Sequence, residues 1–188
     1  MKIVILSGSP RRGGNTHQLV QAFMEGAAAK GHRAVHFDTA SMEIAPCSAC
    51  CYCRGENPRH CRLEDDMARI YTAMEEAELL VLATPLYYFG FSAQIKAAID
   101  RLFAINESLK RKGKDAGAGG VRGMALLAVC GDDEEAAMGG LVENFRIICS
   151  YLGMENAGEV LACGVYDKGD IEGHAALQTA REFFKTTL

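Results

Sequence analysis

The sequence has no long uninterrupted apolar stretch and no excess of basic residues. None of its apolar runs approaches the roughly 20 residues that a membrane-spanning helix needs. Its 188 residues carry a formal net charge of −4, whereas a domain that binds nucleic acids in general normally has a basic excess. We therefore expect neither a membrane nor a nucleic acid among the partners of this chain.

The sequence also shows no internal repeat and no low-complexity linker, and we expect no signal peptide. Its first apolar run is soon interrupted by polar turn residues and is too short for the apolar region of a secretory signal. With 49% hydrophobic and 23% charged residues, the composition is that of an ordinary globular domain. We expect a single domain over residues 1–188, with a cysteine-rich loop at about 44–64, and a cytoplasmic location in which the eight cysteines remain thiols.

Five apolar segments of strand length alternate with segments of helical periodicity. Strands are predicted at residues 2–7, 33–38, 79–84, 124–130 and 158–164. Five helices are predicted. The first starts at Asn15 or Thr16, the second runs from Asp65 or Asp66 to about 77, and the third starts at Ser92. The fourth ends near 152, and the fifth covers 173–185. Apolar strands that alternate with helices predict a parallel sheet covered on both faces. The fold class is therefore α/β, a flavodoxin-like doubly wound sheet of five parallel strands in the order 2-1-3-4-5.

Ligands of such sheets bind at the carboxyl ends of the strands, so the loops there are the candidate sites. The first loop reads SGSPRRGGNT, and amides at the start of the helix that follows favour an anion. It lacks the Gly-Lys-Ser/Thr of a Walker P-loop and the spacing of Gly-x-Gly-x-x-Gly. A phosphate site and an ordinary capped turn with solvated arginines are the two interpretations. The candidate phosphate-site residues are Ser7, Ser9, Arg11, Asn15 and Thr16.

Four motifs in order resemble the NADPH-dependent FMN reductase group of the flavodoxin-like superfamily, which includes flavin and quinone reductases and iron–sulfur flavoproteins. They are GSPRRGGNT, APCSACCYC…CRLEDDM, ATPLYYFGFSAQIKAAIDR and YLGM. The resemblance implies that the first loop binds FMN rather than ATP or a dinucleotide, with NAD(P)H as the co-substrate. It also implies a homodimer or homotetramer, in which a neighbouring subunit helps to enclose the flavin.

The second loop, TPLYYFGFS, carries four aromatic residues within five positions. In the family this loop wraps the flavin, which implies that Pro85, Leu86, Tyr87 and Tyr88 contact the isoalloxazine ring. Core packing is the alternative for aromatic residues here, and for Phe89 and Phe91 the two interpretations stay open. The third loop, CGDDEE, approaches the flavin in the family and implies a contact at Gly131, although its acidic residues depart from the commoner hydroxyl-rich versions.

Two further segments have simpler interpretations. Lys96 and Asp100 have the i, i+4 spacing of an ion pair on one helix, which the family implies lies at a dimer interface. The basic, glycine-rich segment at 111–123 is interpreted as solvated and flexible in preference to a site for the NADPH phosphate.

Five of the eight cysteines fall within a short segment. Cys47, Cys50, Cys53 and Cys61 spell C-x2-C-x2-C-x7-C, with Cys51 as an extra thiol. This spacing is closer to that of a 4Fe-4S cluster than to the separated pairs of a zinc site. Iron–sulfur flavoproteins have such a motif in this region, but relatives without a cluster keep similar cysteines. A possible 4Fe-4S cluster on these four residues, thiols that line a substrate pocket, and zinc therefore stay open.

The sequence thus predicts an FMN-dependent oxidoreductase that moves electrons from NAD(P)H to a small acceptor, such as a quinone or free flavin. The first alternative is an iron–sulfur flavoprotein that exchanges electrons with a ferredoxin-like protein. The second is a non-enzymatic flavin-binding redox sensor whose cysteine loop responds to oxidants. In the enzyme, no side chain need act as an acid or base, because the flavin carries the chemistry.

Overall fold

The computed structural model describes residues 1–55, 60–111 and 120–186. In this part of the chain, strands and α-helices alternate. Their bounds are β1 (Lys2–Ser7), α1 (Asn15–Ala29), β2 (Arg33–Asp38), α2 (Met67–Met74), β3 (Leu79–Pro85), α3 (Ala93–Arg111), β4 (Gly123–Val129), α4 (Gly139–Leu152), β5 (Glu155–Ala162) and α5 (Ala175–Thr186). Most of the basic segment at 111–123 lies outside the described residues.

The five strands form one parallel sheet in the order β2-β1-β3-β4-β5. This order confirms the predicted doubly wound fold. The central strands β3 and β4 are buried at every position, which is why they read as unbroken apolar runs. The strand order reverses between β1 and β3, so the loops that follow these strands flank the position where such sheets bind ligands.

Successive side chains of each strand pack into different halves of the core. Ile3 and Ile5 of β1 join the cluster under α1 and α5, whereas Val4 and Leu6 join the cluster under α2, α3 and α4. None of the helices in the described ranges combines the length and the apolarity that a bilayer-spanning helix needs.

Three predicted helix boundaries need correction. Gly14 precedes α1, so Asn15 and Thr16 lie in its first turn and do not cap it. Helix α2 ends at Met74, short of residue 77, and Asp65 supports its start by accepting a hydrogen bond from the Met67 N–H at 3.1 Å. Helix α5 begins at Ala175, because the segment before it forms turns.

Candidate functional site

The loop between β1 and α1 presents unused donors at a helix start. The first hydrogen bond within α1 runs from the Gln18 N–H to the Gly14 carbonyl, so the N–H groups of residues 15–17 have no acceptor inside the helix. Gly14 supplies no side-chain cap. The Thr16 side chain is buried at this start, and Ser9 lies in the same loop. Such an arrangement can bind an anion, since the helix dipole also favours negative charge there.

Gly8 fixes this loop against the start of α3. Its carbonyl accepts a hydrogen bond from the Ser92 hydroxyl at 2.6 Å, and a Cβ at position 8 would lie 2.5 Å from that hydroxyl oxygen and 2.6 Å from the Ile95 Cβ. Only glycine allows this close approach. The first and second loops are therefore held together at the carboxyl edge of the sheet.

The side chain of Asn15 connects the first loop to the loop after β5. Its amide nitrogen donates to the carbonyls of Val165 and Asp167, at 3.3 and 2.8 Å, and its oxygen accepts from the Gly169 N–H at 3.0 Å. With these bonds in place, Asn15 presents its backbone N–H, not its side chain, to an anion. The structure thus gives Asn15 an anchoring role that sequence reasoning missed.

Arg11 also reaches the loop after β5. Its Nη1 donates to the Tyr166 carbonyl at 2.6 Å, and its guanidinium lies 5.7 Å from the centre of the Tyr166 ring. The ammonium group of Lys168 lies above Gly13, 3.3 Å from where a Cβ would stand. Two cations thus border the helix start, and only Arg11 was predicted from the sequence.

The second loop contains a tight turn whose tip points into solvent. Tyr87 and Gly90 exchange two backbone hydrogen bonds, of 3.2 and 3.1 Å, around the two residues between them. Those residues, Tyr88 and Phe89, have φ values of 46° and 61°, a conformation that favours asparagine and glycine. Their exposed fractions are 102% and 67%. Of the two interpretations of Phe89, the core position is therefore wrong, because the turn directs it outward.

One cleft of about 220 Å³ joins the three loops. It brings together eight of the ten predicted FMN-site residues, namely Ser9, Arg11, Asn15, Thr16, Pro85, Leu86, Tyr87 and Gly131. Its other lining residues, which were not among the predicted FMN-site residues, are Val129, Cys130, Val165 and Tyr166. Val165 and Tyr166 follow β5 without any motif, and only their place at the carboxyl edge of the sheet could have indicated them.

Ser7 and Tyr88 do not line this cleft. The Ser7 hydroxyl is hydrogen-bonded to Nε2 of His36 at 2.7 Å, and its carbonyl accepts from the Thr39 hydroxyl at 2.9 Å. Burial lowers the pKa of His36, and the neighbouring His17 lowers it further. Both effects favour a neutral imidazole beside Ser7. Ser7 therefore joins β1 to β2. Tyr88, whose side chain is fully exposed, can contact a ligand only outside the mouth of the cleft.

The cysteine-rich loop surrounds a second cavity, of about 340 Å³, beside α3. All four predicted cluster ligands, Cys47, Cys50, Cys53 and Cys61, line it, as does Cys51. Ala49 and Cys51 adopt left-handed conformations, with φ of 53° and 56°, so the chain winds tightly around the thiols. The thiol of Cys51 donates to the Ala49 carbonyl at 3.6 Å.

The thiols of this cavity differ in acidity. The backbone N–H of Tyr52 and the hydroxyl of Ser48 stabilise the thiolate of Cys50 and lower its pKa. Burial raises the pKa of Cys53, and the neighbouring thiols of Cys61, Cys47 and Cys50 raise it further. All four thiols line this one cavity.

The donor set of this cavity consists of cysteine thiols. Among the residues that the structure describes, no three His, Cys, Asp or Glu side chains converge closely enough to hold one metal ion. Four thiols are the ligand set of a 4Fe-4S cluster, so the chemistry and spacing of these cysteines fit such a cluster better than zinc.

A buried ion pair connects this cavity to the core. Nη1 of Arg101 donates to Oδ2 of Asp65 at 2.5 Å and to the Ala45 carbonyl at 3.1 Å. Burial by itself would raise the pKa of Asp65, but the hydrogen bonds from Arg101 and from the N–H groups of Ala45 and Met67 outweigh it and lower that pKa. The hydroxyl of Tyr71 donates to the Arg101 carbonyl at 3.0 Å. The pair holds the cysteine-rich loop against α3.

The neighbouring pair on the surface of α3 agrees with its prediction. Nζ of Lys96 lies 2.5 Å from Oδ1 of Asp100, and each side chain exposes a little less than half of its surface. Such a pair contributes little to stability. It does not touch the cleft of about 220 Å³ at the carboxyl edge of the sheet.

Comparison with known proteins places the chain in a family. Residues 1–167 match the NADPH-dependent FMN reductase family. An iron–sulfur flavoprotein of Methanosarcina thermophila is 37% identical over 115 residues, which are 60% of this chain and 59% of that protein. A Bacillus subtilis protein, named provisionally as an NAD(P)H-dependent FMN-containing oxidoreductase, is 29% identical over 192 residues, 98% of this chain and 97% of that one.

Among solved structures, an NAD(P)H:quinone oxidoreductase from Methanothermobacter marburgensis has a TM-score of 0.75 at 22% identity, covering 97% of this chain and 93% of that one. That similarity shows the fold. The match spans only 51% to 60% of the length of three archaeal iron–sulfur flavoproteins. The family match, by contrast, covers most of the chain, and it agrees with the resemblance seen in the four sequence motifs. This chain therefore belongs to the NADPH-dependent FMN reductase family.

Proposed function

We propose that this chain is a single-domain, FMN-dependent oxidoreductase that takes electrons from NAD(P)H and passes them to a small acceptor such as a quinone or free flavin. The observation that carries the proposal is the cleft at the carboxyl edge of the sheet. There the unused N–H groups of the α1 start, the Thr16 hydroxyl and the Arg11 guanidinium offer a phosphate site. Family membership supports FMN as the ligand.

The residues of this chain bind and orient the flavin. The volume of about 220 Å³ suits a phosphate and its attached chain, because pockets that enclose a whole drug-sized ligand measure roughly 300–1,000 Å³. The planar ring would then lie at the mouth, beside Pro85, Leu86 and Tyr87, with Gly131 opposite. When bound, FMN supplies the chemistry of accepting a hydride from a reduced nicotinamide and releasing electrons to an acceptor.

A second copy of the chain would cover the mouth of the cleft. Tyr88 and Phe89 are exposed beside it, and α4 exposes 58% of Ile147 and 64% of Tyr151. Apolar surface of this kind commonly marks an interface. The proposed assembly is a homodimer or homotetramer, and light scattering of the FMN-loaded protein tests it. A monomer that retains its FMN would contradict this part of the proposal.

Steady-state kinetics test the activity. The FMN-loaded protein is expected to oxidise NADH or NADPH continuously when a quinone or excess free flavin is present, and to stop after one turnover per flavin when no acceptor is supplied under anaerobic conditions. A flavin-binding redox sensor would show no sustained oxidation with any acceptor. The cytoplasmic location stays a prediction that this assay does not address.

A second candidate function is that of an iron–sulfur flavoprotein that exchanges electrons with a ferredoxin-like protein. The specific observation in its favour is the cavity lined by Cys47, Cys50, Cys53 and Cys61. Iron, sulfide and flavin counts per chain, together with the visible spectrum of anaerobically purified protein, distinguish the two functions. Flavin without iron would exclude the second candidate and leave the first intact.

A further inference from the structure

Two cysteine residues lie side by side where β4 and β5 end. The last paired residues of these parallel strands are Val129 and Ala162, so Cys130 and Cys163 are the next pair along the two segments. The Cys130 N–H donates to the Ala162 carbonyl at 2.9 Å, which continues the pairing one residue beyond the strands. Neighbouring strands lie about 4.7–4.9 Å apart, within the roughly 4.4–6.8 Å that a disulfide spans between Cα atoms. The backbone therefore allows a disulfide at this position.

The two thiols are also in contact with one another. Burial and, after it, a hydrogen bond with the Cys130 thiol raise the pKa of Cys163 to about 11. The thiol of Cys130 donates to the Asp132 carbonyl at 3.3 Å, in the loop that follows β4. Cys163 therefore keeps its proton near neutral pH, and Cys130 is the member of the pair that is left to attack an electrophile.

Small molecules can reach this pair from the cleft at the carboxyl edge of the sheet. Cys130 is one of the residues that line that cleft, and Cys163 is partly exposed. By contrast, Cys149 on α4 is 3% exposed, does not line the cleft, and has a pKa raised to about 11 chiefly by burial. Packing as a small apolar residue accounts for Cys149, but it does not account for a second thiol beside a first at the wall of a cleft.

We propose that Cys130 and Cys163 form a redox-active pair, which a hydroperoxide oxidises to an intramolecular disulfide and a dithiol reductant restores. The ligand class is therefore a small hydroperoxide, with hydrogen peroxide as its simplest member. In a reducing compartment such a disulfide is transient and has a catalytic or sensing role, not a structural one. The pair is separate from the five cysteines that line the cavity of about 340 Å³, and it requires neither a cluster nor FMN.

The oxidation takes place in two steps. The Cys130 sulfur attacks one peroxide oxygen, the O–O bond breaks, and the released hydroxide takes up the Cys130 proton as water, which leaves Cys130 as a sulfenic acid. The Cys163 sulfur then attacks the Cys130 sulfur, the S–S bond forms, and the sulfenic hydroxyl leaves with the Cys163 proton as a second water. The two sulfur atoms have then given two electrons to the peroxide.

The disulfide would connect two parts of the cleft wall. Gly131 follows Cys130 directly, and a Cβ at position 131 would lie 2.6 Å from Cδ2 of Tyr166, three residues after Cys163. Gly131 and Tyr166 both line the cleft. Oxidation of the pair would therefore fix the loops after β4 and β5 to one another at this wall.

The experiment treats the reduced full chain with hydrogen peroxide, removes the peroxide with catalase, and blocks the remaining thiols with N-ethylmaleimide during denaturation. Trypsin then releases Cys130 in the peptide 123–146, and it releases Cys163 together with Cys149 in the peptide 147–168. Fragmentation in the mass spectrometer shows which cysteine is joined to Cys130. The wild type is compared with Cys163→Ser and with the matched control Cys149→Ser, which removes the other cysteine of the same peptide.

The wild type should give a linked peptide in which Cys130 is joined to Cys163 while Cys149 carries the maleimide. Dithiothreitol should return both thiols. Cys149→Ser should form the same disulfide. Cys163→Ser should lose the linked peptide completely, and dimedone should trap a sulfenic acid at Cys130, because no second thiol remains to displace the hydroxyl.

The exposed thiol of Cys50 shows in each sample that the peroxide has acted. If Cys50 is oxidised while Cys130 and Cys163 both carry the maleimide in the wild type, the inference is overturned. A wild type in which Cys130 is joined to Cys149, or proceeds to a sulfinic acid beside a free Cys163, overturns it as well. The decisive sample is the wild type, so the result does not depend on the folding of a variant. None of these outcomes requires bound FMN, so a failure of the proposed function would be seen separately in the kinetics.

Discussion

We expect substitutions in the strained turn of the second loop to stabilise the protein and to impair its function at the same time. Tyr88 and Phe89 occupy the two central positions of a turn that requires positive φ at both, and neither side chain is packed against the fold. A left-handed conformation costs an ordinary residue about 1–2 kcal/mol, hence about 2–4 kcal/mol for the two. Such strain is commonly kept at functional sites.

Replacing the pair by Tyr88→Asn and Phe89→Gly should therefore stabilise the FMN-free protein. The added glycine increases the conformational entropy of the unfolded chain, which lowers the free energy of unfolding by about 0.5–1 kcal/mol. The net increase in the free energy of unfolding is then about 2 kcal/mol. For a chain of this size that gain raises Tm by about 4–8 °C. The same variant should bind FMN more weakly, or form less of the oligomer, because the exposed aromatic groups are lost.

Urea unfolding and thermal unfolding of the FMN-free protein measure the first effect, and FMN titration with light scattering measures the second. The control is Tyr88→Phe, which keeps the aromatic ring and the strain and should match the wild type in stability. A double variant no more stable than the wild type would refute the strain argument. A more stable variant with unchanged FMN binding and assembly would refute the functional one.

Two further predictions concern the cysteine-rich loop. Asp65→Asn should lower the free energy of unfolding at pH 7 by about 3 kcal/mol, since it leaves the Arg101 cation without its buried partner. The pKa of Asp65 is lowered in the folded state, so the loss of unfolding free energy in the variant should be complete above the ordinary carboxyl pKa and should shrink as the pH falls through the folded pKa. A loss that stays constant in acid would contradict this. In metal-free protein near neutral pH, iodoacetamide should label Cys50 before Cys53, because their pKa values are shifted in opposite directions; peptide mass spectrometry that finds equal rates would contradict the assignment.

The fold was predictable because its main signals are local. The unbroken apolar runs of β3 and β4 indicate strands buried on both faces, and their alternation with helices leaves few alternatives to a doubly wound sheet. The three loops that line the cleft of about 220 Å³ could be predicted from that topology, since ligands bind where the carboxyl ends of the strands meet.

The parts that could not be predicted depend on contacts between distant segments. The loop after β5 carries no motif, yet Asn15 reaches across the sheet edge to fix Val165 and Asp167 beside the helix start. Arg101 lies on an amphipathic helix, where a charged residue normally indicates a solvated face, and only the Asp65 carboxylate explains its burial. Helix periodicity contains no information about such partners.

The most direct test of the central claim compares FMN with riboflavin, which lacks the phosphate, on variants of Thr16. Thr16 is buried at the start of α1, so Thr16→Val removes its hydroxyl with little change in shape, and Thr16→Ser keeps the hydroxyl as the matched control. Fluorescence titration should show that Thr16→Val weakens FMN by about ten- to a hundredfold, the value of a hydrogen bond to a charged group, while riboflavin affinity is unchanged in both variants. FMN bound equally by the wild type and Thr16→Val, or FMN bound no more tightly than riboflavin by the wild type, would contradict the phosphate site and the function built on it.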